Sequence, residues 1–186
     1  MALNCKITKS NSTACDTSVG GVLRIWVANY SPDYTFEVSG QGCEIDTIDL
    51  GDENFIPVYF AEGTGYANAN VNVGANADAK SILHQVGFVM NFIDCDMVGD
   101  MKNWILGRLI FAVETKNGQV FIYGADSGLS STNFDYATGS AETDQQGITA
   151  LYEGAQKNPP LMVKDAKTIT DLVETPEEPA TPGNGG

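Results

Sequence analysis

Two runs of β-branched and aromatic residues, Leu109-Ile110-Phe111-Ala112-Val113 and Gln119-Val120-Phe121-Ile122-Tyr123, flank the stretch Glu114-Thr115-Lys116-Asn117-Gly118. Asn-Gly between such runs predicts a β-hairpin. A two-residue type I′ turn needs positive φ at both central residues, and Asn and Gly tolerate this best. Gly124-Ala125-Asp126-Ser127-Gly128 follows, then a polar connector containing Thr138-Gly139-Ser140-Ala141 and Asp144-Gln145-Gln146-Gly147. Residues 148–152 return to strand character before Pro159-Pro160. Residues 108–163 are therefore committed to β-sheet: strand, turn, strand, connector and last strand.

The composition agrees. The chain has 186 residues, 42% hydrophobic and 9% aromatic, enough for one domain with its own core. Gly, Asn, Thr, Ser and Val are abundant and Lys and Arg scarce, which suits turn-rich β-structure better than a helical bundle. The formal net charge is -14, from 10 basic and 24 acidic residues. Residues 1–164 alone hold 19 acids and 9 bases, so the acidity belongs to the body of the chain. Such a surface does not hold nucleic acid by phosphate neutralisation, and an anionic membrane repels it. Either the charge serves solubility alone, or it forms a surface that nucleic acid passes without sticking.

Four cysteines (Cys5, Cys15, Cys43, Cys95) are widely spaced, and His84 is the one histidine. Zinc wants clustered Cys and His ligands, so no zinc site is expected. Neither a signal peptide nor an apolar stretch of about 18 residues is apparent, so no membrane span is expected. Synthesis in a reducing cytoplasm with free thiols follows, with a Cys5–Cys15 bridge as the alternative.

Along the chain, residues 5–8 read as a short first strand or arm. Residues 22–30 read as a strong strand with both faces at least half covered: Leu23, Ile25 and Val27 on one, Val22, Arg24, Trp26 and Ala28 on the other. Residues 34–39 alternate, and in residues 43–50 Ile45 and Ile48 are out of step, which predicts a bulge. Residues 54–62 read as a strand in which Pro57 argues for an edge or an irregular start. Residues 67–78 alternate small apolar residues with Asn, with too little hydrophobic mass for a core strand. They suit an extended hairpin arm that becomes ordered only against a neighbouring subunit, with Tyr66, Asn68, Asn70, Val71, Asn72, Val73 and Asn76 as its contact residues. A flexible polar loop is the alternative.

Residues 81–93 form a long strand. One helix is expected over 97–107, with Asp94, Asp96 and Asp100 at its positive end and a stripe of Met101, Trp104, Ile105 and Leu106. The apolar pattern ends near Val163, which assigns residues 1–163 to the domain and 164–186 to an acidic, Pro/Gly-rich disordered tail.

No phosphate-loop pattern and no nucleophile elbow is present. Asp94, Asp96 and Asp100 lack the central Gly and distal Glu of a Ca²⁺ loop and read as helix capping. His84 has no nucleophile near it in sequence and reads as a hydrogen-bonded sheet residue rather than a general base. No catalytic, cofactor or metal site is assigned, and the chain is not expected to be an enzyme.

The order helix, strand–Asn-Gly–strand, Gly124-Ala125-Asp126-Ser127-Gly128, Thr138-Gly139, Asp144-Gln145-Gln146-Gly147, residues 148–154 and Pro159-Pro160 resembles the C-terminal half of tail tube proteins of tailed bacteriophages. The start, with Cys15, Gly20-Gly21-Val22 and Ala28-Asn29-Tyr30, is similar to the opening strand of such proteins in phages of gut Bacteroides-type hosts. The resemblance is loose over residues 1–163 and best over 108–163. It implies a mainly β subunit, a β-sandwich or half-barrel with one flanking α-helix and an extended hairpin arm. Six copies would form a ring closed by an inter-subunit β-barrel, and stacked rings a conduit for DNA ejection. The implied partners are further copies of the chain and other tail proteins, with DNA passing unbound and no membrane involved. The implied location is the virion tail, after synthesis in the host bacterial cytoplasm. On this reading Glu37, Glu44, Asp46, Asp49, Asp52 and Glu114 are the candidate acids lining the lumen. A head decoration or collar component, or a carbohydrate-binding β-sandwich module, is the alternative.

Overall fold

The computed structural model describes residues 19–39, 44–73, 80–91, 95–138 and 146–173. Its organising element is β7 (Arg108–Thr115), the first run of the expected hairpin. One edge of β7 is paired antiparallel with β1 (Val22–Asn29) from Leu109 to Thr115. Both faces of this pair are buried from Ile25 to Ala28 and from Leu109 to Val113, whereas the register shifts between Val22 and Arg24 and leaves Leu23 49% exposed, not on a covered face as expected. Ile25, Val27, Leu109, Phe111 and Val113 point into one core, and Trp26, Ala28, Ile110 and Ala112 into a second.

The other edge of β7 is shared. Phe111 to Glu114 pair with β8 (Val120–Tyr123), whereas Arg108 and Leu109 pair with the start of β9 (Leu129–Ala137). The chain thus changes layer in the loop at 124–128, and the sheet splits there into two branches. One branch is the four-stranded antiparallel sheet β9, β10 (Gly147–Gln156), β6 (Lys80–Met90) and β5 (Tyr66–Val73), which folds over the first core. The other continues from β8 to β11 (Leu161–Val163), β3 (Glu44–Asp49) and β2 (Thr35–Val38), with β11 and β3 parallel. Finally, β4 (Ile56–Val58) pairs with β1 alone. The result is a mainly β, sandwich-like protein whose sheet stays open within the chain, with β2, β4 and β5 as edges.

Each core has a helical plug. Helix α1 (Cys95–Leu106) sets Met97, Met101 and Trp104 against the first core, and α2 (Lys167–Thr170) buries Ile169 in the second. The inward stripe of α1 therefore differs from the expected one: Ile105 and Leu106 are 41% and 72% exposed. Once Met97, at i−4 from Met101, is included, Ile105 falls on the flank of the inward stripe and Leu106 on the far side of the helix.

Several expectations hold. Glu37 faces Thr47 and Val38 faces Ile45, so Asp46 is the extra residue of a bulge, and Ile45 and Ile48 are both buried. Pro57 lies on an edge strand.

Others are corrected. The hairpin loop has three residues, Lys116 to Gly118, not two: Gly118 N–H donates to the Thr115 carbonyl (2.9 Å), and Thr115 N–H to that of Gln119 (2.8 Å). Only Gly118 has positive φ (78°), so Asn117 keeps an ordinary backbone and glycine alone takes the left-handed position, as in three-residue hairpins. β9 lies inside the expected connector. A bulge at Thr132 moves its inward face from Leu129 to Phe134, which erases the period-two pattern. The supposed arm is not waiting for a neighbour: Tyr66 to Val73 are paired in register with Gly87 to Lys80 of β6, and Ala67 packs on the first core.

The packed part also reaches beyond Val163. Lys164 N–H donates to the Ile45 carbonyl (3.1 Å), Phe55 N–H to that of Leu172 (2.8 Å), and Phe55 bridges Val173. A chain ending after Val173 is expected to melt like the full-length protein. One ending after Val163 loses Ile169 and this bridge and should be less stable by about 2–4 kcal/mol, read by chemical denaturation. Cys5, Cys15, Cys43, Asn76, Asp94 and the tail from residue 174 lie outside the described residues.

Candidate functional site

The four-stranded branch has one face on the first core and one face bare. Ala67 of β5, Val86, Phe88 and Met90 of β6, Ile148, Ala150 and Tyr152 of β10, and Phe134 of β9 take the inner side. Alternation along each strand then turns Tyr66, Asn68, Asn70 and Asn72, Leu83, Gln85, Gly87 and Val89, Thr149, Leu151 and Glu153, and Asn133 and Asp135 outward. Side-chain hydrogen bonds run across this face. Asn70 Nδ2 donates to Gln85 Oε1 (3.1 Å), and Gln85 Nε2 donates to Glu153 Oε1, linking three adjacent strands. The Tyr66 ring lies over Gly87, where a Cβ would come within 2.5 Å of it. Glycine leaves the ring its seat, and the ring covers the exposed backbone in return.

This face is polar without being cationic. Within its strands it carries the carboxylates Asp135 and Glu153 and, among the described residues, no Lys or Arg. The sheet is also unfinished at both ends. Among the described residues, β5 pairs only with β6, and beyond Ser130 the edge of β9 away from β10 has no strand partner, although α1 lies alongside. The outer edge of β5 has neither the charged side chain nor the proline that usually guards such an edge.

The expected lumen acids lie elsewhere. Glu37, Glu44, Asp46, Asp49 and Asp52 cluster on β2, β3 and the turn after them, at the end of the other branch. There Thr47 Oγ1 donates to Glu37 Oε2 (3.0 Å), Gly51 N–H to Asp49 Oδ1 (2.9 Å), and Lys164 Nζ to Asp46 Oδ1 (2.9 Å). The Asp46 hydrogen bond and charge, with Glu44 adding to them, raise the Lys164 ammonium above its ordinary pKa. Glu114 does not join this cluster: it sits on β7, its Oε2 3.3 Å from Arg24 Nε, an ion pair without aligned hydrogen-bond geometry. Of the expected arm residues, Tyr66, Asn68, Asn70, Val71 and Asn72 are on β5 and exposed, and Val73 ends that strand.

Sequence reasoning missed Asp135, because β9 was hidden in the connector. It also missed Glu153, which period two in residues 148–154 places opposite the buried Ile148, Ala150 and Tyr152.

His84 is buried and hydrogen-bonded at both ring nitrogens, as a sheet residue would be. Among the described residues no three His, Cys, Asp or Glu side chains converge as a metal-binding group, and no helix is long and apolar enough to cross a membrane. Three open grooves of about 370, 600 and 580 Å³ border β4. We found no family model that matches the chain and no curated protein similar to it.

Proposed function

We propose that this protein is a tail tube subunit of a tailed bacteriophage, stacking as hexameric rings into a conduit for DNA. The observation that carries the reading is the four-stranded antiparallel sheet with a cation-free polar face and a free edge at each end. Six such sheets joined edge to edge make a barrel of about 24 strands. At roughly 4.8 Å spacing and about 40° tilt its backbone diameter is about 48 Å. Side chains projecting about 5 Å from each wall leave a bore of about 38 Å, ample for a DNA duplex about 20 Å across. Closure removes the edges that an isolated subunit leaves open.

In this arrangement the sheet's bare face lines the bore, so the lining acids are Asp135 and Glu153. The β2–β3 acids fall outside it. Sixfold repetition turns each inward carboxylate into a ring of negative charge that lowers phosphate adhesion.

Negative-stain imaging of the purified protein tests the reading. Hexameric rings or filaments with an open centre are expected, and a density map should place Asp135 and Glu153 on the lumen. Small particles without a bore would favour a decoration or collar role, or a carbohydrate-binding module. A neutral or basic lumen would remove the charge argument even if tubes form.

A further inference from the structure

His84 takes no part in the assembly surface, yet its surroundings suit a single protonation state. It is 2% exposed, on β6, facing Ala69 of β5 on one side and Gly154 of β10 on the other. Its Nδ1 accepts the Gly124 N–H (3.3 Å), and its Nε2 lies 3.1 Å from the Asn158 carbonyl oxygen. A backbone N–H can only donate and a carbonyl can only accept, so the fitting ring is neutral with its proton on Nε2.

The position of this bond gives it consequence. Gly124 directly follows β8, in one branch of the sheet, and β6 belongs to the other, so the His84–Gly124 hydrogen bond is a polar tie between the two layers. The loop it holds is itself fastened to the end of β10. Gln156 Oε1 accepts the N–H groups of Asp126 and Ser127 (3.0 and 3.1 Å). The Asp126 carboxylate accepts those of Lys157 and Asn158 and the Asn158 side-chain amide (2.9 Å each). His84 joins this block to β6.

We infer that His84 is an acid-released catch between the two layers. A proton arriving at Nδ1 turns the acceptor into a donor that faces another donor, Gly124 N–H. That tie opens, while the bond from Nε2 to Asn158 survives.

Few charged or titratable groups face the ring. The Asp126 carboxylate, on the loop, favours the imidazolium. The Tyr123 ring of β8 meets it edge-on, 5.4 Å between centroids, and burial pushes that phenol above its ordinary pKa, so it stays neutral. Ala69 and Gly154, opposite on β5 and β10, cannot titrate. Burial outweighs the pull of Asn158 and Asp126 and holds the ring below its ordinary pKa. A lowered folded-state pKa means that the stability from the catch is complete above about pH 6.5. It is lost as the pH falls through that value toward the folded-state one.

The test uses the full-length protein labelled with ¹⁵N. At about pH 7.5 the ring nitrogens should report the neutral Nε2–H tautomer, with the Gly124 amide protected from exchange. As the pH is lowered and the ring nitrogens report protonation, Gly124 protection, corrected for intrinsic exchange, should fall about tenfold while the Phe111 amide keeps its own. In His84→Asn the side-chain oxygen can accept the Gly124 N–H at any pH, so this dependence should flatten. Unchanged Gly124 protection in a protonated wild type, or a ring that stays neutral until the whole protein unfolds, would overturn the inference. The wild-type measurement decides even if the variant does not fold.

Discussion

Val71→Lys is expected to abolish ring and filament formation while leaving the subunit folded. Val71 lies on the open edge strand β5, opposite Ile82, and is 65% exposed. Its replacement therefore empties no cavity and should change stability by no more than about 0.5 kcal/mol. A lysine on an edge strand is the device by which monomeric β-proteins keep edges apart, since pairing would strip water from the ammonium without giving it a partner. Sedimentation should show a single small species where the parent is expected to form rings, with an unchanged circular dichroism spectrum. Rings of normal appearance from the variant would exclude the β5 edge from the interface.

Tyr152→Ala should be the most damaging single change to the subunit, at about 3–5 kcal/mol, a large part of the stability of a domain this size. The ring is fully buried at the centre of the first core, its centroid 5.0 Å from that of Phe111 and 6.1 Å from that of Phe88. Its hydroxyl donates to the Trp104 carbonyl (3.0 Å), one of the last carbonyls of α1, which the helix itself cannot satisfy. Tyr152→Phe isolates that bond and should cost about 1–2 kcal/mol, with faster amide exchange in α1 as its signature. Denaturant midpoints of the two variants separate the packing from the hydrogen bond. Equal losses would mean that the hydroxyl carries the whole effect.

Strands with both faces buried were legible in the sequence, because continuous apolar runs such as those of β1 and β7 leave little choice of structure. The bulge in β3 was legible too, since two isoleucines three apart cannot share a face without one. β9 was not: its bulge shifts the inward face midway, and Ser, Thr and Asn on its outer side imitate a loop. Nor was β11, three residues long after two prolines. The Asn-Gly pair announced a turn but not its type, because the loop closes on Gly118 alone and asks nothing unusual of Asn117. The polar alternation of β5 reads as an arm or a loop rather than as a strand of this sheet. It concealed that β6 supplies a partner within the same chain, since register depends on a strand some residues away. The acids of the bare face escaped notice because their meaning depends on which strands become neighbours.

The way β1 is paired sets a timetable for the chain. Val22 meets Thr115 and Asn29 meets Leu109, so one edge of the first strand of the described fold waits on a ribosome for a partner made about half a chain later. The β5–β6 hairpin can form locally long before that, but β10, which shields the far side of β6, comes later still. Non-local pairing of this kind is slow, and nascent sheet remains open to wrong neighbours while it lasts. A chain with these delays gains from the very polarity of β5: alanine and asparagine offer a half-made hairpin little to stick to until the layers close.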